Sequence, residues 1–500
     1  MPGEGTPLLV LAPTMSVQTT PSARQDRNFA PIISAISNLS IQYNFAAIAV
    51  ALAFMDNDDR EIKAAYPRTD EQSSYIKSLV FAGAIVGQFT MGIAGDLLGR
   101  RNAMLLTNSF SAVGALGTAL LTWGTPSSIY ATMGACRFLL GVGVGGKYPL
   151  AATMSHESSP ITHTAASPAG GTQAVAGSAA GSTGAIQVAK GFFWQTPGAM
   201  LPYVVGIILL SIMGQEHYGA SFRGSSSFAF RLVLGVGALP TLVAMVLTYR
   251  TAESEEFQAV RAEARHPCRV LRAHPELLGR LAGCGLSWGL YDFVYYGTSF
   301  NQVVITDEVF GKGEALFDNF WQNIVLTAMG LPGVVLAIGA LLRWSSLRLQ
   351  GIGFAALVLS CVALALAVSL DATERVKFAL FCVLVFSLNW GPNVSTYCLP
   401  AEVFPTAVRS SCFGLSAAMG KLGALIGSAS FKAILGAVGL DGVYYICAGV
   451  SLVGVLVTVV LIPLPTATQG NRLLGSATPA PGSIAQQHLL PEGQDAPLRI

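Results

Sequence analysis

Four ionisable side chains stand inside long apolar runs: Arg137, Lys147, Asp292 and Lys421. A charge at membrane depth is costly and faces a cavity or a partner, so each is a candidate for function. Three bases against one acid suit the path of an anion. Trp288, Asp292 and Tyr296 are spaced by four, which puts an indole, a carboxyl and a phenol on one helix face. Asn393 closes the run Asn389-Trp-Gly-Pro392-Asn393, whose proline and glycine break a helix ladder where backbone lines a cavity. Such a set suits reversible capture of a small anion. A cation and several neutral donors would hold its oxygens, and Asp292, kept protonated by burial, would donate a hydrogen bond. Bond-breaking chemistry has no support, because no nucleophile–base pairing or metal-ligand spacing is visible. The eight cysteines are scattered without a CxxC pair, so no metal centre or cofactor is expected.

The elements that would hold these groups are membrane helices. Of 500 residues 52% are hydrophobic and 11% charged, too few charges to clothe several soluble domains. A crossing takes about 20 mostly apolar residues. Such runs fall near 30–55, 75–95, 103–123, 129–154, 192–213 and 229–249, then 279–303, 320–342, 351–369, 376–399, 411–437 and 442–463. This predicts an all-α membrane protein of twelve transmembrane helices. An N-terminal six-helix bundle (30–249) and a C-terminal one (279–463) are joined by a hydrophilic connector (250–278). Residues 156–190, rich in Ala, Gly and Ser, read as a low-complexity loop. Residues 1–29 and 464–500 read as disordered tails. Basic residues concentrate on the side of the termini, including Arg100, Arg101, Lys190, Arg250, Arg261 and Arg272, which predicts that both termini are cytosolic.

Motifs sharpen the class. Between the second and third runs lies Gly92-Ile-Ala-Gly95-Asp96-Leu-Leu-Gly99-Arg100-Arg101, where a carboxylate can accept helix N-terminal amides and the arginines can reach lipid or a neighbouring helix. With twelve spans it resembles the loop signature of the major facilitator superfamily. The second-half counterpart, near Arg343 to Arg348, is degenerate. Span four continues with Arg137-Phe-Leu-Leu-Gly141-Val-Gly143-Val-Gly145-Gly146-Lys147-Tyr148-Pro149, whose glycines read as close packing. Together with Val86-Gly87-Gln88, the Trp288–Tyr296 face, Asn393, the run Pro400-Ala-Glu402-Val-Phe-Pro405 and Lys421, the chain over 30–463 resembles the phosphate:proton symporter family of that superfamily.

The resemblance implies a major facilitator fold of two pseudo-symmetric six-helix bundles. It also implies a phosphate site at Tyr148, Gln195, Trp288, Asp292, Tyr296 and Asn393, assisted by Lys421. Gln195, read as opening span five, is preferred to Gln173. Asp292, Lys147, Arg137, Asp96 and Arg100 are expected in coupling or gating. Two departures stand out. The acidic Asp-x-Tyr-Asp pattern of the family's first span is met by Ile41-Gln42-Tyr43-Asn44, with amides for acids, and Lys147 stands where the family has aspartate. Lys147 is expected to add to anion attraction, to pair with Asp292, or to sit deprotonated in a desolvated site.

The expected function is secondary active transport of inorganic phosphate by alternating access, with possible proton coupling through Asp292. The alternatives are a facilitator or exchanger of another small anion or phosphorylated metabolite and, from another class, a non-transporting nutrient sensor. The partners expected are the anion, protons and the lipid bilayer, with no nucleic acid; a monomer would suffice. The plasma membrane is the expected location. Endosomal or vacuolar membranes remain open, since Glu4 to Leu9 resembles an acidic dileucine sorting signal.

Overall fold

The structure is a computed structural model that describes residues 29–55, 67, 69–159, 182–213, 225–264, 267–310 and 316–462. The two tails, the dileucine-like run and Gln173 lie outside these residues.

Eleven helices among the described residues are long and apolar enough to cross a membrane. In the first half they are span one (Ala30–Met55), span two (Tyr75–Leu98), span three (Arg100–Leu120), span four (Pro126–Glu157), span five (Thr183–Ile212) and span six (Ser227–Arg250). In the second half they are span eight (Leu316–Leu341), span nine (Ser346–Ser369), span ten (Glu374–Val403), span eleven (Arg409–Phe431) and span twelve (Ala433–Leu461). The seventh expected run is the helix Glu276–Phe310, which carries Asp292 and is span seven here. With twelve crossings both described chain ends lie on one side, the termini end. The connector holds two short helices, Glu255–Ala264 and Pro267–Ala273.

Local chemistry sets the helix starts. Thr69 and Gln72 form a reciprocal capping box ahead of span two, whose helix begins at Asp70. Thr125 and Ser345 cap spans four and nine through their hydroxyls. Spans eleven and twelve follow without a loop in the stretch Arg409–Leu461, which kinks at Gly439 inside span twelve, where a φ of 75° is a left-handed conformation that suits glycine.

One expected boundary needs correction. Residues 156–190 do not form a loop throughout: span four runs to Glu157, and helix resumes at Thr183, so span five begins well before residue 192. Ser182 caps that start by accepting the Ala185 amide at 3.0 Å. The low hydrophobicity that suggested a loop reflects small residues in tight packing, with Gly184 against His156 and Gly191 against Ser34. Span five then turns at Phe193–Trp194 and restarts at Gln195. Gln195 therefore sits within the span rather than at its opening.

Close backbone approach assembles each half. A methyl at Gly141 or Gly145 would collide with the carbonyls of Val80 and Ala84 in span two, and one at Gly423 with that of Gly289 in span seven. The halves meet at the termini end through spans two and eleven, where a methyl at Gly92 would come within 2.8 Å of the Ser410 carbonyl and 3.2 Å of the Gly414 Cα. At the far end Phe320 of span eight packs edge-on to Phe54 and Tyr203. Between these seams lies a cavity.

Candidate functional site

The cavity has a volume of about 300 Å³ and draws its walls from both halves. Gln42, Phe45, Phe81, Tyr148 and Gln195 come from the first; Trp288, Asp292, Tyr295, Tyr296, Asn389, Asn393 and Lys421 from the second. All seven residues expected to hold substrate are among its lining.

At its centre Lys421 Nζ donates to Asp292 Oδ2 at 3.2 Å, with side chains only 4% and 6% exposed. The helix of span seven places Asp292 here, and span eleven can bring Lys421 close because Gly420 leaves room for the Trp288 ring. The ammonium also lies 5.5 Å from the Tyr148 ring centre and 5.3 Å from that of Tyr296, a cation–π arrangement from both sides. Trp288 packs edge-on to Tyr148, Tyr397 and Phe413. On span ten Asn393 Nδ2 donates to Asn389 Oδ1 at 2.9 Å, and Asn389 Nδ2 to the Val385 carbonyl at 2.9 Å.

The first-half wall carries a row of amides. Gln42 Nε2 donates to Gln195 Oε1 at 2.7 Å, and Gln195 Nε2 donates to Asn38 Oδ1 at 2.7 Å. Asn38 Nδ2 donates in turn to the Ser34 carbonyl at 2.9 Å and to Tyr397 Oη at 3.4 Å. Tyr397 donates to the Tyr148 carbonyl at 3.4 Å, linking span ten back to span four. Asn38, Gln42 and Tyr397 were not picked out as site residues from sequence. A usable signal existed: Asn389, Asn393 and Tyr397 are spaced by four, as are Asn38 and Gln42.

Lys147 does not join this site. Its Nζ donates to Ser40 Oγ and Thr241 Oγ1, each at 2.9 Å, within the first bundle between spans one, four and six. The expected pair with Asp292 is therefore wrong, and so is its expected place beside the anion. Neighbouring helix positions point about 100° apart, so Tyr148 faces the cavity while Lys147 faces span six. Arg137 also stays in the first bundle, where it donates to the Asn44 carbonyl at 2.9 Å.

Asp96 and Arg100 belong to a separate cluster at the termini end. Asp96 accepts from the backbone amides of Ser410 at 3.3 Å and Ser411 at 2.7 Å, at the start of span eleven, so a first-half carboxylate caps a second-half helix. Arg100 pairs with Asp96 at 2.9 Å and Glu157 at 3.0 Å, and donates to the Thr406 carbonyl at 2.6 Å. Arg409 crosses from the second half to Glu157 at 3.1 Å and Glu256 at 2.9 Å. In the connector, burial pushes the Glu256 carboxyl up, but Arg409 and the hydrogen bond from Thr406 outweigh it and hold it below the usual range. Burial dominates at Glu253 and raises it, although the Arg100 and Arg101 amides donate to it. Glu402, at the end of span ten, accepts from Ser182 Oγ at 2.6 Å.

Three comparisons bear on this arrangement. A family model described as sugar (and other) transporter matches residues 30–174 and 281–470. The chain is 35% identical over 457 residues to the inorganic phosphate transporter PT2 of Toxoplasma gondii, covering 91% of this chain and 75% of that one. It is 27% identical to a probable inorganic phosphate transporter 1-6 of Arabidopsis thaliana, covering 78% and 81%. It is 28% identical to a repressible high-affinity phosphate permease of Neurospora crassa, covering 70% and 68%. Among solved structures the major facilitator proton:xylose symporter XylE, bound to 6-bromo-6-deoxy-D-glucose, aligns with a TM-score of 0.66 at 17% identity over 87% of this chain and 96% of that one. At that identity the likeness is one of fold.

Proposed function

Because the chain belongs to the family of sugar and other transporters within the major facilitator superfamily, and is a transporter rather than an enzyme, we propose that it moves inorganic phosphate across a membrane by alternating access. The names of its relatives support the substrate. The observation that carries the reading is the Lys421–Asp292 pair, buried in a cavity whose other polar lining residues are neutral amides, hydroxyls and an indole set among apolar side chains such as Phe45 and Phe81.

With the cavity empty, Asp292 is the counter-ion of Lys421. An arriving phosphate competes for the ammonium and would meet a like-charged carboxylate. A proton on Asp292 removes that repulsion, frees Lys421 for the anion and supplies an O–H donor. Tyr148, Gln195, Trp288, Tyr296 and Asn393 then donate to the remaining oxygens. Return of the Lys421–Asp292 pair expels the proton after phosphate leaves. In this scheme coupling runs through Asp292 alone, since the first span offers amides. Asp96 and Arg100 serve as the clamp that must open when the cavity faces the termini end, while Lys147 and Arg137 hold the first bundle together.

The basic residues of the termini end support a cytosolic position for that end. The plasma membrane is the proposed location, with endosomal or vacuolar membranes as the alternatives, and a monomer contains the whole cavity. One observation favours a second reading, an uncoupled facilitator or exchanger of phosphate or a similar small anion: the Lys147 ammonium meets hydroxyls and, among the described residues, no acid.

Purified protein in liposomes, given labelled phosphate with and without a pH gradient, tests both. Uptake that rises with an inward proton gradient supports coupling. Uptake indifferent to the gradient selects the second reading, and absence of both uptake and counterflow overturns the substrate. In Asp292→Asn, residual uptake should lose its dependence on the gradient; full coupling in that variant rules out the role given to Asp292.

A further inference from the structure

The orientation of the first-half amides follows from one backbone atom. The Ser34 carbonyl can only accept, so Asn38 must present Nδ2 to it, 2.9 Å away. That turns Asn38 Oδ1 to Gln195, which must answer with Nε2 at 2.7 Å. Gln195 Oε1 then faces Gln42, which must answer with its own Nε2 at 2.7 Å. No amide in this row can flip without setting two acceptors, or two donors, against each other. Each glutamine nitrogen carries two protons and spends one within the row. Gln42 and Gln195 both line the cavity that holds the Lys421–Asp292 pair.

We propose that Gln42 is a further substrate-binding residue, whose second N–H is presented to the anion by the row Ser34–Asn38–Gln195–Gln42. The proposal rests on the phosphate reading given above. A row ending in N–H supplies a neutral donor in the wall where a carboxylate would repel the anion. It adds affinity without adding a proton to the transport cycle. Asn38 is a positioning residue in this scheme, because it acts only through Gln195.

The test is phosphate uptake by proteoliposomes of wild type, Gln42→Met and Gln42→Glu, with KM and maximal rate measured separately. Gln42→Met keeps the volume and removes the donor, so KM should rise about tenfold, the scale of one hydrogen bond to a charged group, while the maximal rate stays within about twofold. Gln42→Glu provides a signature that a packing role would not. Its KM, taken as a ratio to wild type at each pH, should climb as pH rises and the new carboxylate ionises. The ratio removes the titration of phosphate itself and of the groups sharing the cavity, which are Asp292, Lys421, Tyr148, Tyr291, Tyr295 and Tyr296. A wild-type KM in Gln42→Met, or a pH-independent ratio in Gln42→Glu, overturns the role of Gln42 alone. Should Gln42→Met fail to fold, the Gln42→Glu ratio decides. Wild-type liposomes that take up no phosphate overturn the substrate reading and this proposal with it.

Discussion

At the termini end the two halves are built from equivalent places and different chemistry. In the first half, span two ends near Asp96, span three opens with Arg100 and span four ends with Glu157, and the three are joined by ion pairs of 2.9 and 3.0 Å. In the second half, span eight gives way to Leu342, span nine opens with Ser346, and Glu402 near the end of span ten meets the hydroxyl of Ser182 at 2.6 Å. The first half sends charge across the seam, through Asp96 to the amides of Ser410 and Ser411. The second half answers with Arg409 and the Thr406 carbonyl. One side of the proposed clamp is thus an ion network, and the other is held by hydrogen bonds from Ser182 to Glu402. The difference teaches that the cost of opening this end is concentrated on one side of the pseudo-symmetry axis.

The largest expected effect comes from breaking the network at its node. Glu157→Gln leaves Arg100 and Arg409 buried without their shared carboxylate, a loss of about 3–5 kcal/mol for a buried pair. It should lower the melting temperature in detergent by several degrees and expose span eleven to thiol reagents in a variant carrying a cysteine at Ser411. A melting temperature within a degree of wild type would remove the network from the clamp. Next in size is an attempt to make the halves alike. Ser346→Arg gives Glu402 a charged partner, and the added lock should slow phosphate turnover several-fold with little change in KM. Faster turnover would show that opening does not limit the cycle.

Weakening the second side should matter less. Ser182→Ala removes the bond to Glu402, worth about 0.5–1.5 kcal/mol, and the cap on the Ala185 amide, worth about 1 kcal/mol, and should leave transport within about threefold of wild type. A loss as large as that of Glu157→Gln would abolish the asymmetry. Smallest is the pH response of Glu256. Its carboxyl is held below the usual range by burial outweighed by Arg409 and Thr406, so its contribution is complete above about pH 4.3 and is lost as pH falls through its depressed value. Partial exposure, 30%, keeps it under about 1 kcal/mol. The difference in connector proteolysis between wild type and Glu256→Gln should therefore be steady from about pH 8 to 5 and close only in stronger acid.

Much of this was readable beforehand for physical reasons. Twenty-residue apolar runs report span positions because lipid admits nothing else, and Trp288, Asp292 and Tyr296 reach the cavity because a four-residue spacing keeps one face. Lys147 was misread because residue type says that a buried ammonium needs partners, not which ones; Ser40 and Thr241, distant in sequence, proved to be enough. Span five was cut short because small residues lower hydropathy whether they form a loop or a tight seam. Asn38 and Tyr397 were not singled out, and Gln42 was read only as an amide in place of an acid, because neutral amides and phenols gain meaning only through partners that the fold supplies.

The contact of Asp96 with the amides of Ser410 and Ser411 has an evolutionary consequence. Its donors are main chain, so substitutions at 410 and 411 leave them in place, with proline as the exception because it lacks the N–H. One face of the latch is thereby shielded from mutation, and variation that disables it must pass through Asp96. Sequence drift at 410 and 411 can proceed while this contact between the two halves is kept.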